Sequence, residues 1–494
     1  MIENWPGRSP AATRGSECAA GDDEVGGTMD LLDESRFAGI HTFVYVGLRF
    51  DWTSGVAEFN FRHEGDHEEL SFTDVVVFPL PEAVPAQEQR ETFERVLELL
   101  YIATGTIYYK AVAPRSVSVE SVSLAPAAVR WAQHLYRDGL AEFAYRWSLE
   151  HVLEVPLKAN FKESLSPRCD HADSGRPPLV GMGGGRDSLV ALEVLSAAGF
   201  EPATFMVEKR GRGARPLTLS AGATRGRAFA VTRRPDEDML RKLANNTLRI
   251  GHVPVTAINS IAGVALSVLH GLGPVVMANE RSASEANTVW CGRSINHQWS
   301  KTFEAEQLLN EAVRDHAGID HASFSLLGGM SELVISRLFA ATSRYDNVVT
   351  SCNVAARRPG GGRWCNDCAK CRFVFLGLAP FMSVERLVSI QGRNLLDDSK
   401  QISGYRELVG MSGHKPFECV GELNEARVAV QLLARDPQWR DAVVVSDLSN
   451  RLPPVRQADV DKVWRVDPAP GAPVAYRQAL EVWPASAKAG QGGS

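Results

Sequence analysis

Leu179-Val180-Gly181-Met182-Gly183-Gly184-Gly185-Arg186-Asp187-Ser188-Leu189-Val190 is the stretch on which the reading of this chain turns. It opens as an apolar run, breaks into glycines, and passes through Asp-Ser into the helical spacing Leu189, Leu192, Val194, Leu195. A strand that ends in glycines and runs straight into a helix is the layout of an anion cradle. The glycines let the backbone approach the anion, and the helix N-terminus presents free N–H groups and the positive end of its dipole. A Walker loop needs Gly-Lys-Ser/Thr after four intervening residues, and none stands here. A dinucleotide fingerprint starting at Gly181 needs glycine where Arg186 stands. An ordinary glycine turn between strand and helix is the plain alternative.

Outward from this loop, strand and helix alternate. Strand candidates are 178–182, 203–207, 228–232, 274–278 and 347–351, with helical stretches over 187–198, 236–249 and 257–270. This alternation predicts an α/β fold, a doubly wound parallel sheet occupying 171–382. Ligands of such sheets bind beyond the strand C-terminal ends, where the Gly183–Ser188 loop falls. Two polar clusters also follow predicted strands: Asn279–Asn287, containing Glu280 and Glu285, and Ser294–Lys301, containing His297.

Upstream, residues 36–170 read as an N-terminal α+β region. The runs Thr42–Val46, Ala57–Phe61 and Asp74–Pro79 predict an antiparallel unit of about three or four strands. A helix follows near Glu88–Ala103, with more helical pattern over 124–150. The region carries no catalytic motif, so it is expected to supply substrate contacts or to cover a sheet edge. Residues 1–35 read as a disordered leader. Residues 383–466 read as a helical C-terminal region with an amphipathic helix over Glu422–Ala434, and 467–494 as a flexible tail rich in Pro, Ala and Gly.

Cys352, Cys365, Cys368 and Cys371 give Cys-x12-Cys-x2-Cys-x2-Cys. Four thiolates at short spacing can close a tetrahedron around zinc, a site that holds loops together; an iron–sulfur cluster is the alternative at this spacing. Gly360, Gly361 and Gly362 suit a flexible knuckle around a closed zinc site. The other cysteines, Cys18, Cys169, Cys291 and Cys419, are scattered and suggest a reducing compartment rather than a disulfide framework.

The 494 residues, 44% hydrophobic and 23% charged, suffice for a large core. A net charge of −6 argues against binding nucleic acid through phosphate neutralisation. The longest apolar region, Ile261–Ala278, is interrupted by His270, Gly271, Gly273 and Pro274 and is not a membrane span. With no export signal in view, a cytoplasmic location is expected.

The glycine loop resembles the Ser-Gly-Gly-x-Asp-Ser loop of the ATP pyrophosphatases, with Gly183 where that family usually carries its first Ser. Further segments narrow the resemblance. They are Asn279-Glu280-Arg281-Ser282-Ala283-Ser284-Glu285, Asn296-His297-Gln298-Trp299-Ser300-Lys301, the cysteine cluster running into Arg372-Phe373-Val374-Phe375-Leu376, and His414-Lys415-Pro416-Phe417-Glu418-Cys419-Val420-Gly421. Together these make the chain resemble, from roughly residue 40 to 460, the MurL family of ATP-dependent UDP-N-acetylmuramoyl-L-alanyl-L-glutamate epimerases.

The resemblance implies an enzyme of peptidoglycan precursor synthesis. It would turn the terminal L-glutamate of UDP-N-acetylmuramoyl-L-alanyl-L-glutamate into D-glutamate through an α-carboxyl adenylate, releasing AMP and diphosphate. ATP, Mg2+ and a structural Zn2+ are implied, with a small-molecule substrate and neither nucleic acid nor membrane as partner. Gly183, Gly184, Gly185, Arg186, Asp187 and Ser188 would hold the ATP phosphates, although Asp187 also fits a helix cap. Arg186 and Lys301 are candidates to offset charge on the leaving diphosphate. For the epimerising base, His297 best meets the need for a pKa near working pH, with a structural histidine as the alternative. Glu280 and Glu285 follow as bases or magnesium ligands, and Cys291 and Cys419 rank lower, as lone cysteines are commonly buried and inert. Two competing readings stand. One is another carboxylate-adenylating ATP pyrophosphatase similar to 7-cyano-7-deazaguanine synthase, whose chains are shorter and lack the front β unit. The other is a non-catalytic nucleotide-binding module.

Overall fold

A computed structural model describes residues 37–489 apart from 38, 67–68, 172–173, 210–226, 353, 356–361 and 412–414. The expected leader, Gly360, Gly361, His414 and the last five residues lie outside the described residues.

Ten strands form one sheet: β1 (Ile40–Asp51), β2 (Val56–Gly65), β3 (Leu70–Val77), β4 (Ser116–Leu124), β5 (Leu157–Phe161), β6 (Leu179–Gly181), β7 (Ala203–Lys209), β8 (Ala228–Arg234), β9 (Val275–Met277) and β10 (Ser323–Ser325). Their order across the sheet is β10-β9-β6-β7-β8-β3-β2-β1-β4-β5. The half containing β6 to β10 is parallel throughout. The central β2 pairs antiparallel with both β1 and β3, as the alternating sequence of these strands predicts. The expectation of a purely parallel sheet is corrected at the seam: β3 pairs antiparallel with β8, Val75 facing Arg234 and Val77 facing Thr232. Beyond β1, strands β4 and β5 return to parallel pairing. The front region and the strand–helix region therefore share one mixed sheet, because β3 offers β8 an edge that would otherwise be open.

Adjacent residues of the parallel strands are buried on opposite faces. Leu179 and Val275 join a core with α1 (Gln87–Tyr109), α2 (Pro126–Arg137) and the helix Val255–His270, while Val180 and Val276 join a second core with α4 (Arg186–Ala197) and the C-terminal helices. A two-residue period with both neighbours apolar is what a sheet covered on both sides requires.

Residues 347–351 do not form a strand; they are turn and coil, and Ser323–Ser325 takes the edge instead. The β-branched run Val348-Val349-Thr350 is diverted because the Thr350 N–H donates to Gly184 O at 2.9 Å and its hydroxyl to Arg363 O at 2.6 Å. That stretch is a wall of the glycine loop. The tail is also corrected. Val474–Ala489 is a helix whose Tyr476, Ala479 and Leu480 are buried, and Tyr476 stacks on Phe200 at 4.8 Å. Its alanines are helix formers, and its apolar side covers α4. The reading of the scattered cysteines as unpaired is corrected at Cys291, which is disulfide-bonded, while Cys169 and Cys419 are free. No helix among the described residues is long and apolar enough to cross a membrane.

The seam between the two halves of the sheet is fastened by charge. Arg233 of β8 donates through Nε to Asp74 Oδ1 of β3 at 3.0 Å and through its second nitrogen to Oδ2, and the Tyr108 hydroxyl donates to Asp74 Oδ2 at 2.6 Å. All three are buried. Removing one partner of a buried pair strands the other charge. Asp74→Ala should therefore lower unfolding free energy by about 3–5 kcal/mol in urea titrations. A change within 0.5 kcal/mol, the ordinary range of a surface substitution, would show that the seam does not depend on this pair.

Candidate active site

The glycine loop leaves β6 at its carboxyl end and enters α4. Gly184 has φ +81°, a conformation that residues other than glycine rarely adopt. A Cβ on Gly185 would sit 3.0 Å from Ser351 Oγ. Gly185 is also the N-cap of α4, and no side chain caps that end. The cap role considered for Asp187 is thus not taken; Asp187 is the second residue of the helix. Ser188 turns its hydroxyl back to Gly185 O at 3.0 Å.

The loop opens onto a cleft of about 450 Å³ between the ends of β6 and β9. The chain winds outward from β6 to β8 and then returns to β9 on the other side of β6, so the cleft lies at the switch point of the sheet. Gly183, Gly185, Asp187, Ser188, Lys301, Lys370 and Cys419 all line it. Asn279 and the Thr350–Cys352 wall complete the mouth.

Arg186 does not reach this cleft. It is buried, donating to Ser336 Oγ at 2.6 Å and Asp187 Oδ1 at 3.1 Å, and paired with Glu332. Its expected contact with phosphate is corrected to that of a buried counter-charge, because Glu332 on the following helix Glu332–Ala340 is wholly buried and needs compensation. Lys370 Nζ also reaches Glu332, at 3.2 Å. Burial alone would raise the Asp187 carboxyl, but Arg186, Lys370 and Lys301 together hold it below the usual carboxylate range. Oxygens of Asp187, Glu280 and Glu332 lie within 4.8 Å of one another, a spacing compatible with a divalent cation.

Lys301 ends the short turn Trp299–Lys301, its Nζ 3.1 Å from Gln298 Oε1 and 3.7 Å from Glu280 Oε1. Burial would lower its pKa, yet Cys419, Glu280 and Asp187 keep it above the ordinary lysine value. Glu280 lies outside the cleft, in an adjoining cavity of about 200 Å³ that shares Lys301. Glu285 is engaged by Lys415 Nζ at 2.6 Å and does not line the cleft either.

His297 behaves differently from the expected free base. It is buried, its Nδ1 paired with Glu142, which also faces His252 Nδ1 at 3.7 Å. Burial would lower the His297 pKa, but Glu142 and Cys419 push it up to about 10. Both influences favour the protonated ring, which has no lone pair with which to accept a proton. Burial depresses the neighbouring His252 to about 3, with His297 adding to the effect, so that ring stays neutral. Burial pushes Glu142 up, but His297, His252 and Arg146 bring it down to about 2. Cys419 completes the row. Burial would raise its thiol, but Lys301 and His297 bring it down to about 7.

Sequence reading missed Lys370, Glu332, Glu142 and His252. Lys370 stands inside Cys368-Ala369-Lys370-Cys371, where the cysteines draw the eye. Glu142 comes from α3 (Ala141–Trp147), in a region without motif, 155 residues before its partner.

Beside the cleft, the Sγ atoms of Cys352, Cys365, Cys368 and Cys371 lie within 4.8 Å of one another, Cys365 and Cys371 at 3.8 Å. A zinc–sulfur bond of about 2.3 Å gives a tetrahedral edge of about 3.8 Å. Backbone N–H groups of Ala355 and Cys365 point at Cys352 Sγ at 3.1 and 3.3 Å, and those of Asp367 and Cys371 at Cys365 and Cys368 at 3.4 Å. These donors suit thiolates, and the four residues could hold a single zinc. Cys352 is shared with the cleft wall, so the knuckle backs the glycine loop.

Fold and site together define an α/β protein with a glycine loop lining a cleft at the switch point of its sheet and a four-thiol knuckle behind it. Residues 34–326 match the model of the MurL N-terminal domain, and 348–463 that of the MurL C-terminal domain. The chain belongs to the MurL family. It is 48% identical over 412 residues to the UDP-N-acetyl-alpha-D-muramoyl-L-alanyl-L-glutamate epimerase of a Micromonospora species, covering 83% of this chain and 91% of the relative. The enzyme of the same name from Salinispora tropica is 47% identical, with 83% and 89% covered, and that from Xanthomonas oryzae 36%, with 86% and 93% covered. No solved structure gives a significant match.

Proposed function

We propose that this protein epimerises the terminal L-glutamate of UDP-N-acetylmuramoyl-L-alanyl-L-glutamate, activating its α-carboxylate with ATP to an acyl adenylate and releasing AMP and diphosphate. The observation that carries the reading is the cleft itself. A glycine cradle with an uncapped helix end meets Asp187, Lys301, Lys370 and the Cys419 thiol in one space. The names of the relatives supply the substrate.

The chemistry explains why such a reaction would consume ATP. An α-proton beside a carboxylate is barely acidic, because its removal builds charge next to an existing anion. Adenylation cancels that anion and turns the carbonyl into an electron sink. The cradle N–H groups would bind phosphate oxygens, and Lys301 and Lys370 would balance charge as diphosphate departs. Magnesium, held by Asp187, would neutralise phosphate charge. The zinc knuckle would keep the Thr350–Cys352 wall against the loop. Hydrolysis of the adenylate would restore the acid and give the step direction. A nucleotide-linked precursor of this kind fits a cytoplasmic, small-molecule enzyme.

The test is to incubate protein and ATP with and without the dipeptide precursor, quantify AMP and diphosphate, and determine the chirality of the recovered glutamate. AMP formed only with the precursor, together with D-glutamate, is expected. AMP without inversion would assign a different adenylated substrate, and no AMP would reduce the cleft to a nucleotide-binding module.

A further inference from the structure

We infer that Cys419 is the base that removes the α-proton of the glutamate, with His297 and Glu142 as positioning residues; the assignment rests on the adenylating reading above. Three observations converge on it. Cys419 lines the same cleft as the glycine loop and Asp187, whereas His297, Glu280 and Glu285 do not. Lys301 and His297 are two cations whose charge favours its thiolate form. Glu142 in turn holds the His297 ring through Nδ1, leaving Nε2 as the ring nitrogen not engaged by the carboxylate.

The placement suits the geometry of an acyl adenylate. The reacting carbonyl is joined through one oxygen to the α-phosphorus, and the α-carbon is the next atom beyond the carbonyl. A base for that carbon must therefore sit just past the phosphate cradle, near the cations that serve it. Cys419 meets both requirements, since it shares the cleft with Asp187 and Lys301, and the Lys301 ammonium is favoured by both Cys419 and Asp187. Asp187 marks the phosphate end and Cys419 the α-carbon end.

In the step, the Cα–H bond breaks and an S–H bond forms. The electron pair moves into the adenylated carbonyl, whose enolate oxygen gains negative charge. A proton of solvent origin adds to the opposite face of Cα. The Cys419 thiol then loses its proton to solvent, and the thiolate is restored with no net change in protons. His297 stays an imidazolium throughout and acts by holding the thiolate in place. No oxidant or reductant is needed.

The test compares wild type with Cys419→Ser and Glu142→Gln in deuterium oxide, with the precursor and ATP. Serine keeps the size of the side chain but remains protonated, so AMP release should continue. Formation of D-glutamate and deuterium incorporation at Cα should fall at least a hundredfold. Glu142→Gln should slow exchange and epimer formation at least tenfold at unchanged AMP release, and should reduce the rate at which iodoacetamide alkylates Cys419. Cys419→Ala serves the same comparison if the serine variant does not fold, continued AMP release certifying the fold. Exchange or epimer formation near the wild-type rate in either Cys419 variant would overturn the assignment. So would joint loss of AMP and exchange in a folded variant, which would place the thiol in adenylation. Failure of wild type to release AMP would instead sink the adenylating reading.

Discussion

Asp187→Ala should leave the fold standing and lower AMP release by about 100- to 1,000-fold, the scale seen when one group that stabilises developing charge is removed. Among the described residues lining the cleft, Asp187 is the single carboxylate. Arg186, Lys370 and Lys301 keep it ionised. Its removal takes away the proposed magnesium ligand and leaves Lys301 and Lys370 facing phosphate without their organising anion. Alanine is a good helix former at this second position of α4, and Glu332 still compensates Arg186. Melting temperature should thus move little while turnover collapses. Precursor-dependent AMP release near the wild-type rate would remove the glycine loop from the mechanism.

Cys365→Ser is expected to have the largest effect on stability. Structural zinc sites contribute about 10–16 kcal/mol of apparent binding free energy in isolated finger peptides. Here the four thiols also fasten Thr350–Cys352 against the loop, where Thr350 N–H holds Gly184 O at 2.9 Å. The variant should lose bound zinc from about one per chain to near zero, melt at markedly lower temperature, and lose AMP release with it. A strong chelator should reproduce that phenotype in the wild-type protein. A metal-free variant that melts normally and turns over would show that the knuckle needs no metal.

Local features were readable before the structure because their chemistry sits in adjacent residues. The glycine loop, the four-cysteine spacing and the strand–helix alternation each depend on a short window. The failures share the opposite cause. Residues 347–351 have strand propensity, but the Gly184 carbonyl captures Thr350, which no propensity encodes. The tail looked mobile from its Pro, Ala and Gly content, yet Tyr476 finds Phe200 across the fold at 4.8 Å. His297 looked like the base from its ordinary pKa. Glu142, from a distant helix in a motif-free region, locks it in the charged form and shifts the role to Cys419. The pKa of a side chain depends on which distant charges fold against it.

Central to all of this is the acyl adenylate, and an isotope transfer tests it. Precursor labelled with oxygen-18 in the α-carboxylate of its L-glutamate would be turned over with unlabelled ATP, and the AMP analysed by mass spectrometry. Attack of the carboxylate on the α-phosphorus followed by cleavage of the acyl C–O bond leaves one labelled oxygen in AMP. That single label, appearing in step with D-glutamate, is the expected result. D-glutamate accumulating alongside wholly unlabelled AMP, or with no AMP at all, would contradict carboxylate activation as the route to epimerisation.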